Sequence, residues 1–81
     1  MYIRIEDDAV VRGKDIVGIF DMDNTTVSRL GRNFLPHAEK NGLIINTTDD
    51  LPKSFVVTNA KGATEVLISS VSSKILANRS K

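Results

Sequence analysis

Eighty-one residues, no cysteine, one histidine and a formal charge of +1 exclude a disulfide scaffold and a thiolate metal site, and make a zinc site improbable. The length fits one domain over residues 1–81, which on folding buries only about 60% of the surface of its unfolded chain. Small cores without staples often gain stability by oligomerising.

Ile3 and Ile5 alternate with Arg4 and Glu6, the period of a half-buried strand, and Glu6-Asp7-Asp8 is a polar turn. Ala9-Val10-Val11 leads into a second strand that Arg12-Gly13 punctuates. The apolar run through residues 15–20, closed by Asp15 and Asp21, reads as a buried strand. Asn24, Thr25 and Thr26 are helix caps, since their oxygens can accept free first-turn amides. Val27, Leu30, Phe34, Leu35 and Ala38 follow at helical spacing, with Gly31 in the stripe. The wet side carries Arg29, Arg32, Asn33, His37 and Lys40, and Pro36 predicts a kink near Asn33. Asn41-Gly42 supplies a left-handed stop.

Leu43-Ile44-Ile45 is a further strand before the loop Thr47-Thr48-Asp49-Asp50-Leu51-Pro52. Two β-rich runs, Ser54 to Thr58 and Thr64 to Ile68, are joined by Asn59-Ala60-Lys61-Gly62-Ala63, a hairpin signal with glycine at positive φ. Ser69 or Ser70 then caps a short helix through Val71, Ile75 and Leu76. The sum is an α+β domain: a mainly antiparallel sheet of short strands, one longer kinked helix and a short C-terminal helix.

Catalytic signals are few. Ile19-Phe20-Asp21-Met22-Asp23-Asn24-Thr25 resembles the first motif of haloacid-dehalogenase-type phosphatases, whose first aspartate attacks phosphorus. That family's parallel-sheet core needs roughly 100–150 residues, and the hairpins that follow here do not build it. The two aspartates more simply end a strand near a helix N-terminus, where carboxylates are favoured. A calcium loop counted from Asp21 fails, because Thr26 stands where glycine is required and Arg32 where glutamate is. His37 reads as a solvated side chain with no nucleophile or carboxylate pair at short spacing. No glycine-rich phosphate loop is present. No enzyme, cofactor or metal is expected. The longest apolar runs fall short of the roughly 20 residues of a bilayer span, and the first residues lack a signal-peptide pattern. The expected compartment is the cytoplasm.

Charge is unevenly spread. Residues 1–25 hold Arg4, Arg12 and Lys14 against six carboxylates, whereas residues 26–81 hold eight cations against four. Arg12 and Lys14 flank Gly13 at a strand junction, and Lys53 follows Pro52 at the entry to the next strand. Side chains at such turns can meet a phosphate backbone.

Met1-Tyr2-Ile3, Asp7-Asp8, the run Lys14 to Asp21 and Lys53-Ser54-Phe55-Val56-Val57-Thr58, in that order, resemble the RemA/RemB group of extracellular-matrix regulators, nearest the RemB branch, over almost the full chain. The resemblance implies a compact α+β unit. It also implies a homo-oligomer assembled as a ring, and duplex DNA binding upstream of bacterial matrix or biofilm genes through basic residues of two loops. By position those residues are Arg12 and Lys14 in the first loop and Lys53 in the second. The second loop departs from the RemA pattern: Asp49-Asp50-Leu51-Pro52 stands where that branch has an arginine pair. Arg29, Arg32, Lys74, Arg79 and Lys81 are alternative cations. The acidic loop also leaves open an oligomeric interaction module that partners a DNA-binding relative and binds no DNA itself.

Overall fold

The computed structural model describes residues 1–22 and 34–80. In chain order the described elements are β1 (Tyr2–Glu6), β2 (Ala9–Arg12), a 3₁₀ turn (Gly13–Asp15), β3 (Ile16–Asp21), α1 (Phe34–Lys40), β4 (Ile44–Asn46), β5 (Ser54–Ala60), β6 (Ala63–Ser69) and α2 (Ser73–Arg79). The fold is α+β, as expected. β1 and β2 pair antiparallel in a small sheet of their own, with Tyr2 opposite Arg12 and Arg4 opposite Val10. The second sheet has the order β3-β5-β6-β4. Its β3/β5 and β5/β6 pairs are antiparallel, and β4/β6 is parallel.

The central strands β5 and β6 carry continuous apolar runs because both their faces are covered. Val56 and Leu67 point to one face, where they pack with Ile3, Ile5 and Leu76. Phe55, Val57, Val66 and Ile68 point to the other and pack with Ala38. The β1–β2 hairpin and α2 therefore cover one side of the sheet, and α1 covers the other. Phe55 sits between two further rings, with centroids 5.3 Å from Phe20 and 6.1 Å from Phe34. Full burial of each such side chain contributes about 1.5–3 kcal/mol.

The β5–β6 turn has two residues, Lys61 at φ 53° and Gly62 at φ 84°. Positive φ at both central positions matches the right-handed strand twist. Asn59 pins the turn: its Oδ1 accepts from Gly62 N at 3.1 Å and its Nδ2 donates to Thr64 Oγ1 at 3.1 Å. The α1 terminator is also as expected. Gly42 has φ 69°, Gly42 N donates to Glu39 O and Leu43 N to Ala38 O, a Schellman pattern.

Two expectations are corrected. The run 15–20 is not a buried strand: among the described residues β3 lies at the sheet edge. A bulge between Ile16 and Gly18 leaves Val17 66% exposed. Bulges at edges turn a side chain out and discourage further pairing; the places covered on both faces go to β5 and β6. The C-terminal helix is capped by Ser72, whose hydroxyl accepts from Ile75 N, and not by Ser69 or Ser70. Those two serines are taken up by Glu6 at the end of β6, so the helix starts later. Pro36 is the third described residue of α1. The expected caps Asn24, Thr25 and Thr26, the stripe Val27, Leu30 and Gly31, and the kink near Asn33 lie outside the described residues.

Candidate nucleic-acid interface

Arg12 closes β2, and its Nε donates to Asp15 Oδ2 at 3.0 Å across the 3₁₀ turn. The two side chains are 40% and 17% exposed. One of five guanidinium N–H donors is thereby used. Gly13 ties this turn to the chain start, its N–H donating to Met1 O at 2.9 Å. A Cβ there would lie 3.3 Å from Ile3 Cδ1, so a larger residue would press on the core. Lys14 is exposed on the turn.

Lys53 is held differently. Its N–H donates to Ser69 O at 2.9 Å and its carbonyl accepts from Met22 N at 3.1 Å. The backbone is thus fixed on two sides while the side chain is exposed. The preceding loop folds on itself: Asp50 N donates to Thr48 Oγ1 and Thr48 N to Asn46 Oδ1. Asp49 and Asp50 are exposed, and Leu51 is 79% exposed.

The register separates these cations. Asp21 pairs with Ser54, beside Lys53, whereas Ile16 pairs with Thr58, near Lys14. Four residue steps along β5, of about 3.3 Å each, put roughly 13 Å of ladder between them. Lys14 and Lys53 therefore occupy opposite poles of the β5–β6 axis and do not converge within one chain. Lys61, in the β5–β6 turn, shares the Lys14 pole. At the Lys53 pole stand the exposed Asp49 and Asp50. The Asp7-Asp8 turn joins them there, because its neighbour Glu6 is bound to the end of β6.

That contact is a cluster of short hydrogen bonds. Glu6 Oε2 accepts from Ser70 N and Ser70 Oγ at 2.6 Å each and from Ser69 Oγ at 2.9 Å. The Ser70 hydroxyl bond, joined by the Ser70 amide and Ser69 hydroxyl, outweighs partial burial and lowers the Glu6 carboxyl below its ordinary range.

Asp21 and Arg79 have structural partners. The Ser73 hydroxyl donates to the Asp21 carboxylate, which ties β3 to the start of α2. Asp23 lies outside the described residues. Among those described, no cluster of His, Cys, Asp or Glu suits a metal ion. His37 is exposed on α1, and Asn41 Nδ2 donates to its carbonyl at 2.8 Å. Lys74 and Arg79 are exposed on α2, and Arg79 Nη1 donates to Arg4 O at 3.0 Å. Arg29, Arg32 and Lys81 are outside the described residues. Sequence reasoning missed Tyr2 and Val10, 70% and 52% exposed, which flank a groove of about 230 Å³ also lined by Arg12, Asp15 and Glu65. The β1 alternation marks Tyr2 as outward, but the groove depends on how the hairpin lies over β5 and β6. No described helix is long and apolar enough to cross a membrane.

A family model described as RemA-like, extracellular matrix regulatory protein A-like, matches residues 2–79. None of the curated proteins compared with the chain matches it.

Proposed function

The chain belongs to the RemA-like family of extracellular matrix regulatory proteins, a regulatory and not an enzyme family, and from that premise we propose that it is a homo-oligomeric DNA-binding regulator of bacterial matrix or biofilm genes. It acts in the cytoplasm as a member of the RemB branch, and meets the phosphate backbone through Arg12, Lys14 and Lys53. The observation that carries the reading is the pair of exposed lysines on loops with fixed backbones, Lys14 and Lys53. Fixed loops offer cations at little further ordering cost.

Their separation bears on the mechanism. Each phosphate neutralised contributes about −0.9 to the slope of log affinity against log salt. Two or three cations at opposite poles grip one duplex weakly. Copies arrayed in a ring repeat them, and effective concentration then raises affinity by roughly 10²–10⁴-fold. The test is a duplex titration at two salt concentrations with wild type, Lys14→Glu and Lys53→Glu. Weaker binding and a shallower salt slope in each variant support the reading; unchanged affinity in both removes these residues from the interface.

A second reading has its own support, since Arg12 is already engaged by Asp15 and the exposed Asp49 and Asp50 stand at the Lys53 pole. In it the oligomer partners a related DNA-binding regulator and touches no DNA. Retained assembly with no duplex binding at low salt selects it.

A further inference from the structure

We infer that copies of this chain join head to tail, the Thr47–Pro52 loop of one seating in the Tyr2–Val10 groove of the next, and that this joint builds the cation site one chain lacks. The inference rests on the homo-oligomeric reading and names its surface.

Charge argues for a second copy as the occupant. Among the described residues, one pole exposes Asp7, Asp8, Asp49 and Asp50 beside Lys53 and Lys74. The other holds the paired Arg12 and Asp15, with Lys14 and Lys61 against Glu65. A net acidic pole and a net basic one attract each other only when the copies point the same way. Two like poles face to face would repel.

Shape and polarity agree. Leu51 projects between Asp50 and Pro52 at 79% exposure, an apolar knob on the acidic pole. The groove of about 230 Å³ between the hairpin and the β5–β6 turn offers the apolar flanks Tyr2 and Val10 at the basic pole. Arg12 borders that groove with only its Nε committed, so its remaining N–H groups can meet Asp49 or Asp50. Tyrosine and arginine are, with tryptophan, enriched at the energetic centres of interfaces.

The joint explains the acidic loop. Asp49 and Asp50 are neutralised by the neighbour and no longer repel phosphate. Lys53, two residues beyond Leu51, is carried alongside the neighbour's Lys14, so the cations that the ladder separates in one chain meet across two. A contact between unlike surfaces repeats until it closes as a ring or extends as a filament.

Sedimentation velocity on the full chain at micromolar concentration tests this with paired charge reversal. Asp49→Lys/Asp50→Lys and Arg12→Glu each weaken assembly by about a hundredfold alone, and their equimolar mixture regains assembly by alternating the two chains. Recovery on mixing also shows that both variants fold. If both variants assemble as wild type does, or the mixture stays dissociated, the joint is refuted while the homo-oligomeric reading stands. A single-chain mass for wild type overturns both. Because the chain has no cysteine, a second measurement is direct: Val10→Cys and Leu51→Cys chains, mixed and oxidised, form a covalent heterodimer, whereas neither crosslinks alone. No heterodimer in an assembled mixture refutes the joint.

Discussion

Replacing Glu6 by glutamine isolates the clamp that fastens the β1–β2 hairpin to the end of β6. The carboxylate accepts three hydrogen bonds from Ser69 and Ser70. Bonds to a charged acceptor contribute about 1.5–3 kcal/mol each and neutral ones about 0.5–1.5, so glutamine loses about 1 kcal/mol per bond. Glu6 is only half-buried, and solvent screening reduces the total to about 1–2 kcal/mol. For a domain of this size that lowers Tm by roughly 4–16 °C at pH 7. The pH dependence follows from the lowered carboxyl. Its contribution is fully present above the unfolded value near 4.5 and is lost as pH falls through the folded value below it. Thermal melts of both proteins at pH 7, 5, 4 and 3, at one chain concentration because association shifts Tm, therefore show a gap that closes on the acid side. Other carboxylates titrate equally in both proteins and cancel. No gap at pH 7, or one that persists undiminished at pH 3, refutes the clamp.

Phe55→Ala removes a ring 1% exposed between Phe20 and Phe34 and costs about 3–5 kcal/mol, a large share of the stability of so small a domain; a chemical denaturation midpoint that barely moves contradicts the packing. Gly62→Ala places a side chain at φ 84° with open space around it, so the loss of about 1–2 kcal/mol is backbone strain alone and Lys61, already at φ 53°, does not relieve it. Ser72→Ala frays α2 and costs about 1 kcal/mol, read from the denaturation midpoint, with no change in the acid-side profile that Glu6 controls.

Wherever a signal is local, the sequence carries the fold. The alternation of Ile3 and Ile5, the Lys61-Gly62 turn and the stop at Gly42 each depend on a few adjacent residues, whose φ preferences and polarity act before any long-range contact forms. Errors arise where distant segments compete. The run 15–20 is as apolar as β5, yet only the order of strands decides which one both faces bury. Ser69 and Ser70 are as good helix caps as Ser72, but Glu6, more than sixty residues away in the chain, claims them first. The candidate loops are legible as cation-bearing turns, and Tyr2 with Val10 is legible as exposed, while their grouping into poles is not.

Sequence alone determines the elements, their inward faces, the lack of thiol chemistry and the family pattern, because each is set by composition or by spacing along a few residues. Tertiary structure alone decides that Lys14 and Lys53 lie at opposite ends of an edge strand, with the carboxylates gathered at one of them. Charge is written residue by residue, but its direction in space follows from the antiparallel register of β3 on β5, a relation between segments some forty residues apart.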